Sequence, residues 1–309
     1  MNNNGKVVFI TGTSSGHGNI AARLFAQSGY NVCATMRNIS GANSHSAHEL
    51  EEFGKEVSGN ISVVEMDVTS SNQVSSAIKN CITKYGGIDV VINNAGIVGI
   101  GWQEEFSIEQ FQNVMDVNLY GPQRVYKEVL PHMREQKSGL FLNVTTIGTR
   151  LAMPLRQGPY SCAKWALEAL SERYHQELSE IFNIDSVCIQ PSPTSGTNLL
   201  NNSFMANDSN VRDGYPDFTE DRYYRIWSKL AAQMSSSLTS DDIDNVAIKM
   251  LEIAESKSED RPIRVAIKTR CILGYYEVCS MNEHFQKNQK KLEDKWLRGD
   301  ISDFWEGVK

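Results

Sequence analysis

Tyr160 and Lys164 stand four residues apart in Tyr160-Ser161-Cys162-Ala163-Lys164, so on a helix both side chains fall on one face. A free tyrosine, with a pKa of about 10, is a poor acid or base at neutral pH. A neighbouring ammonium favours the phenolate and lowers that pKa, which predicts a tyrosine able to give a proton to a ketone oxygen or take one from an alcohol. A second stretch able to do chemistry is Thr11-Gly12-Thr13-Ser14-Ser15-Gly16-His17-Gly18. Glycines permit a tight turn and close backbone approach, and free N–H groups at the start of a following helix receive an anionic pyrophosphate. Taken alone, the same residues also suit an ordinary glycine-rich connection between a strand and a helix.

Both stretches need strand ends and helix starts to position them. A β-branched run, Val7 to Thr11, enters the glycine turn, and an Ala-rich helix from about 19 to 28 follows it, closed by Gly29. Further strands are expected at 31–35, 61–66, 88–92, 140–146, 185–190 and 263–267, and further helices near 47–57, 70–85, 107–136, 159–182 and 240–255. Thr69 or Ser70 should cap the 70–85 helix, and Ser107 with Gln110 makes a capping box. Gly121-Pro122 should bend or interrupt the long 107–136 stretch, because proline removes an intrahelical hydrogen bond. Strands alternating with helices, without an internal repeat, predict an α/β doubly wound Rossmann fold: one parallel sheet with helices on both faces. Residues 1–267 read as the catalytic domain and 268–309 as a C-terminal extension too short for a second core. The irregular stretch 197–237, with Phe204, Tyr215, Phe218, Tyr223, Tyr224 and Trp227, reads as a substrate lid.

The TGxxxGxG spacing differs from the usual GxGxxG. With Asn93-Asn94-Ala95-Gly96 after the fourth strand, Asn118 in the long helix and YxxxK after the fifth strand, it resembles the short-chain dehydrogenase/reductase family, in that family's order and over about residues 5–267. The resemblance implies hydride transfer with a nicotinamide cofactor. It implies cofactor contacts from Gly12, Thr13, Ser14, Ser15, Gly16, His17 and Gly18, from Asp67 and Val68 beside the adenine, and from Asn94, Ala95 and Gly96, with Asn93 toward the adenosine. It places Tyr160 and Lys164 in both the catalytic and the cofactor set, with Lys164 on the nicotinamide ribose. It gives the Asn118 backbone carbonyl a water that leads to Lys164. Asp67 reads equally well as a helix-start residue, and Asn118 as a buried amide serving backbone groups.

Three departures from the family pattern stand out. The family's serine just after the fifth strand, which holds the substrate oxygen, is best matched in Asn143-Val144-Thr145-Thr146 by Thr146, with Thr145 or a purely structural β-branched strand end as the alternatives. Threonine keeps the hydroxyl but restricts χ1. His17 stands where an aliphatic residue is common, and it either titrates near neutrality against a ligand or simply packs. Pro191-Ser192-Pro193-Thr194-Ser195-Gly196-Thr197 resembles the family's turn that closes on the nicotinamide amide, but serine replaces a glycine and the threonine is one residue late, which leaves Pro191 and Thr197 as cofactor candidates.

The cofactor choice turns on the end of the second strand. An acidic residue there binds the 2′-OH of NAD, whereas an arginine accommodates the 2′-phosphate of NADP. Here the strand ends Ala34-Thr35-Met36-Arg37 and no acidic residue precedes Glu49, so NADP(H) is preferred over NAD(H), unless Arg37 is only a solvated surface residue.

Composition narrows the partners. The 309 residues carry 30 Lys and Arg against 37 Asp and Glu, a net charge of -7 and a pI near 5.5, an acidic balance that argues against nucleic-acid or anionic-membrane binding. Six cysteines without CxxC or neighbouring His give no metal site and no disulfide framework, and MNNNGKVVFITG has no signal-peptide core, so a cytoplasmic protein without a membrane span is expected. Trp102, Met153 and Leu155 beside the aromatic insert suggest a mainly apolar small-molecule carbonyl or alcohol, although the aromatics would equally serve to anchor the insert. Arg150 and Arg156 read as exposed rather than as substrate-selecting residues. The family's usual interface, on the helices containing 107–136 and 159–182, implies a homodimer or homotetramer. The competing function is a non-catalytic NADP(H)-sensing protein, against which an intact Tyr160 and Lys164 argue.

Overall fold

The computed structural model describes residues 5–150, 156–192, 194, 197–199, 202–215, 225, 241–268 and 275–297. Its first half alternates β1 (Val7–Thr11), α1 (Gly16–Gln27), β2 (Asn31–Met36), α2 (Ser44–Lys55), β3 (Asn60–Glu65), α3 (Ser71–Tyr85) and β4 (Val90–Asn93). After a two-residue β5 (Gly99–Ile100) come α4 (Ile108–Met115), α5 (Gly121–Gln136), β6 (Gly139–Val144), α6 (Gly158–Phe182) and β7 (Ile184–Pro191). The remainder holds β8 (Phe204–Met205), α7 (Ser209–Arg212), α8 (Asp241–Glu255), β9 (Arg264–Ile267) and α9 (Tyr275–Leu297).

Seven strands form one sheet in the order β3-β2-β1-β4-β6-β7-β9, every pairing parallel. The expected doubly wound sheet is therefore present. Side chains alternate along β1: Val8 and Ile10 face a core with Ala22 and Phe25 of α1 and Val246 and Met250 of α8, while Val7 and Phe9 face Val74 and Ile78 of α3 and Val129 and Met133 of α5. The chain winds outward in both directions from β1 and β4, so the crevice at the carboxyl ends of these two strands is the topological switch point at which such sheets bind ligands.

Local signals behave as read. Ser70 accepts from the Gln73 amide, Ser107 and Gln110 close their capping box, and Gly29 follows α1 at φ +89°. The interruption of the long helix takes an unanticipated form: a π turn, Asp116–Tyr120, lies just before Gly121-Pro122, and Pro122 falls in the first turn of α5. Within the 197–237 stretch, read as irregular, β8 pairs with β5 through Gly99–Phe204 and Ile100–Met205. Residues 275–297, anticipated only as an extension, form a helix whose Val278 is buried and whose Phe285 ring lies 3.8 Å from the Arg264 guanidinium of β9.

Candidate active site and cofactor crevice

The glycine turn is built against the end of β4. Gly12 has φ +71°, and a Cβ there would lie 2.8 Å from the Ala95 Cα. A Cβ on Gly18 would lie 2.4 Å from both the Gly12 carbonyl oxygen and Asn94 Nδ2. Both positions therefore require glycine, one for conformation and space, the other for space alone. Asn94 Nδ2 donates to the carbonyls of Thr11 and Gly12 at 3.0 and 2.8 Å, and the amides of Asn94 and Ala95 both donate to Thr11 Oγ1 at 3.0 Å. Thr11, absent from the sequence-based site set, thus ties the two crevice walls together; its place as the last residue of β1 was the available clue.

Ser15 occupies the N-cap position of α1 without a side-chain cap hydrogen bond, which leaves the helix start able to meet an anion. Thr13 points the other way, donating to the Thr35 carbonyl at 3.2 Å, so its hydroxyl holds β1 to β2. Thr197 sits over this turn, for a Cβ on Gly16 would come within 3.4 Å of it. His17 Nε2 lies 3.0 Å from Thr194 Oγ1, joining the glycine turn to the turn after β7. Burial lowers the His17 imidazole from 6.5 to about 4, so at physiological pH it is neutral and links the two turns as an uncharged group.

That shift has a consequence for stability. An unfolded His17 takes up its proton near pH 6.5 and the folded one only near 4, so the unfolded state binds more protons between those values. The contribution is complete above about pH 6.5 and lost as pH falls toward 4, amounting to up to about 3 kcal/mol. His17→Asn is expected to flatten denaturant stability over that window; an unchanged pH slope would show that other groups set it.

At the end of β2, Arg37 is exposed, and its Nη1 lies 3.6 Å from Asp67 Oδ2 at the end of β3. Partial burial works to raise the Asp67 pKa, but hydrogen bonds from the Thr69 amide and hydroxyl, and then the Arg37 charge, outweigh it and the net shift is downward. Asp67 is thus a helix-start residue that also steadies Arg37. Val68 is buried against Gly121, and its carbonyl accepts from Arg124. Asn93 does not face the crevice: it is buried and its Nδ2 donates to Asn143 Oδ1 at 2.9 Å inside the sheet. The strand alternation that points Asn94 outward necessarily points Asn93 inward.

Tyr160 and Lys164 share the inner face of α6, the Lys164 Nζ 5.7 Å from the centre of the tyrosine ring. Tyr160 packs among Val98, Val114 and Ala163, with Leu199 and Phe204 of the insert against them. The expected lowering of its pKa is not what this environment gives: burial pushes the phenol up, and the Lys164 ammonium is turned to the Val144 carbonyl at 2.7 Å. Burial also lowers Lys164, to about 8. Proximity on one helical face was legible; the apolar surroundings that oppose both charged forms were not.

Gly96 brings the third wall to this pair, since a Cβ there would lie 2.8 Å from Asn118 Oδ1 and 3.6 Å from Lys164 Nζ. Asn118 lies in the π turn and its side chain is wholly engaged, donating to the carbonyls of Ile97 and Val114 at 2.9 Å and accepting from the Ile97 amide at 3.3 Å. It thereby ties the π turn to the loop after β4 through Ile97, and to the helical turn before it through Val114. Of the two threonines after β6, Thr145 spends its proton on the Ile189 carbonyl, whereas Thr146 Oγ1 accepts from the Gly148 amide and retains a proton to donate.

The surroundings differ from expectation in two places. Arg150 is not exposed: its Nη2 lies 2.5 Å from a buried Glu168 carboxylate and 3.8 Å from Glu172. Arg156 lies over the Trp102 ring at 3.1 Å, and Tyr215 stacks on Trp102 at 4.4 Å, so these aromatics anchor the insert. A buried Glu105 adds an ion pair with Arg212 across the same junction. Met153, Leu155, Pro193, Phe218, Tyr223, Tyr224 and Trp227 lie outside the described residues. Among the described residues, no helix is long and apolar enough to cross a membrane.

Comparison with known proteins bears on this geometry. The short chain dehydrogenase family profile matches residues 6–208. A 3-ketodihydrosphingosine reductase of Bacteroides thetaiotaomicron is 32% identical over 213 residues, covering 69% of this chain and 72% of its own. Oxidoreductase BOA17 of Botryotinia fuckeliana is 37% identical over 186 residues; that match spans 60% of this chain and 65% of the relative, somewhat under two thirds of its length. In fold, the chain is similar to a short-chain dehydrogenase from Streptomyces avermitilis (TM-score 0.68, 22% identity, covering 98% of this chain and 96% of that one). It is similar also to an alcohol dehydrogenase from Thermococcus sibiricus complexed with 5-hydroxy-NADP (TM-score 0.65, 24% identity, 84% and 95% covered). With a parallel sheet, a glycine turn at its switch point and a Tyr-Lys pair on α6, this chain belongs to the short-chain dehydrogenase family of nicotinamide-dependent oxidoreductases.

Proposed function

We propose that the protein is an NADP(H)-dependent carbonyl reductase or alcohol dehydrogenase for mainly apolar small molecules, acting between C=O and CH–OH. The observation that carries this reading is Tyr160, set in an apolar cluster beside Lys164 on α6. The crevice fits the cofactor: the glycine positions leave room for close backbone approach, the α1 start lacks a side-chain cap, and Arg37 is exposed at the end of β2. Ser14, Ser15, Gly16 and the α1 amides would hold the pyrophosphate, Asp67 and Val68 would flank the adenine, and Asn94, Ala95, Gly96, Pro191 and Thr197 would line the remainder. When bound, the reduced nicotinamide supplies the hydride that the carbonyl carbon receives.

The chain's own residues do the rest. With its pKa raised by burial, Tyr160 stays protonated through the neutral range and donates its phenolic proton to the carbonyl oxygen. Thr146 Oγ1 donates a hydrogen bond to the same oxygen. Lys164, at about 8, is mostly ammonium at pH 7; it stabilises the phenolate left behind and holds the nicotinamide ribose. The Asn118 carbonyl would hold the water that leads to Lys164. Alcohol oxidation runs these steps in reverse. Phe204 and Leu199 over Tyr160 favour an apolar substrate beneath the insert, which serves as lid. The free thiols Cys33, Cys81, Cys162, Cys188 and Cys279 suit a cytoplasmic location. Exposed Ile108, Tyr120 and Trp165 on the α4-to-α6 faces suit a homodimer or homotetramer.

Arg37→Ala tests the cofactor assignment. A charged contact to the 2′-phosphate is expected to be worth about tenfold to a hundredfold in NADPH affinity. NADPH fluorescence titration should show that loss while NADH binding changes by less than about twofold. Equal loss for both cofactors, or none, would remove the NADP preference.

A further inference from the structure

The stripe of α6 that carries Tyr160 and Lys164 continues for another turn to a buried carboxylate. Glu168 is four residues beyond Lys164 and 1% exposed. Its Oε1 accepts from Thr149 Oγ1 at 2.7 Å and from Gln190 Nε2 at 2.7 Å, while its Oε2 faces Arg150 Nη2 at 2.5 Å. The single Thr149 proton is shared with the Thr146 carbonyl, 2.8 Å from the same hydroxyl. Thr149 ends the 3-10 turn Ile147–Thr149, at whose start Thr146 accepts from the Gly148 amide. One carboxylate therefore grips the two residues that close this turn, together with the β7 residue preceding Pro191. Gln190 Oε1 in turn accepts from Asn282 Nδ2 at 2.6 Å, so α9 reaches the same group.

A carboxylate out of water is costly to keep, and packing alone would be served as well by an apolar side chain of similar volume. Every donor to Glu168 comes from a segment that runs into the crevice, which is the placement of a group that fixes the geometry of a site rather than fills a core. We propose that Glu168 is a positioning residue for substrate-oxygen binding: through Thr149 and Arg150 it holds the Ile147–Thr149 turn closed, and thereby fixes the direction in which the Thr146 hydroxyl donates. The proposal rests on the reading of Thr146 as the oxygen-binding hydroxyl. It makes the Thr149 hydroxyl necessary although Thr149 touches no reacting atom, and it explains how a threonine with its restricted χ1 keeps one orientation at the place of the family's serine.

The test uses the full chain with Glu168→Gln and Thr149→Val, and Thr149→Ser as the conservative variant. Hydrogen exchange of the amides at 146–150 is read first, and then the kcat and KM for a responsive ketone beside the NADPH dissociation constant. In Glu168→Gln and Thr149→Val, exchange at 146–150 is expected to quicken at least fivefold with the amides at 163–182 unchanged. The kcat should fall about tenfold while NADPH binding stays within about twofold, because the reacting geometry is disturbed and the cofactor crevice is not. Thr149→Ser should restore both. Unaltered exchange, a loosening spread evenly along α6, an unchanged kcat in a parent that turns over, or a Thr149→Ser protein as impaired as Thr149→Val would each overturn the proposal. Should the parent itself reduce no ketone, the proposed function fails on its own, and the exchange comparison still decides whether Glu168 holds the turn.

Discussion

A Tyr160→Phe protein is expected to reduce ketones about 10²- to 10⁴-fold more slowly than the parent, the range that a positioned proton donor contributes. The change removes one oxygen from a ring that is otherwise held by apolar contacts to Val98, Val114 and Ala163, so folding and NADPH binding should persist. Loss of kcat with NADPH affinity within about twofold would mark an interaction made chiefly in the transition state. The raised phenol pKa adds a direction to this result: Tyr160 is an acid across the neutral range, so reduction needs no prior proton uptake, whereas oxidation must first have the phenolate. Steady-state rates with NADPH and a responsive ketone check it, and a Tyr160→Phe protein as fast as the parent would remove Tyr160 from the chemistry.

Gly18→Ala carries the second large effect. The added methyl would stand 2.4 Å from the Gly12 carbonyl oxygen and from Asn94 Nδ2, two groups already hydrogen-bonded to each other. Neither is the free end of a long side chain, so the glycine turn or the β4 loop must shift. Overpacking of this kind costs about 1–3 kcal/mol. Because the displaced atoms form both walls of the crevice, the larger loss should be in the cofactor: NADPH affinity is expected to fall about a hundredfold, some 2.7 kcal/mol by the affinity relation. Fluorescence titration and thermal melting together separate the two effects. Parental NADPH affinity in Gly18→Ala would mean that this turn does not carry the pyrophosphate.

Much of this arrangement could be read from local signals. The β-branched runs, the glycine turn after β1 and the Ser107-Gln110 capping box are short-range features, and the first two locate the sheet and its switch point correctly. Tyr160 and Lys164 are visible because a spacing of four residues is itself geometric information on a helix. What escaped depends on residues distant in sequence. Arg150 reads as a surface residue until Glu168 is folded against it, and Thr11 acquires its role only when β4 pairs beside β1. A two-residue strand such as β5 has no period to detect, so its pairing with β8 is invisible without the fold. The same distance explains the tyrosine: sequence shows the ammonium nearby, whereas burial, which works against the phenolate, is a property of the assembled cluster. The Tyr160-Lys164 stripe extended by four residues does name Glu168, and that signal was available in the chain.

On the proposed function, this chain moves hydride between NADP(H) and a carbonyl carbon with Tyr160 supplying the proton. The most direct measurement gives the parent NADPH carrying deuterium at the transferable C4 position, with a panel of ketones, steroids and retinoids, and weighs the products. One deuterium is expected on the carbinol carbon of a reduced product, formed at least about a hundredfold more slowly by Tyr160→Phe. NADPH that binds in the crevice but delivers deuterium to no member of the panel would contradict it and leave a nucleotide-sensing protein in its place.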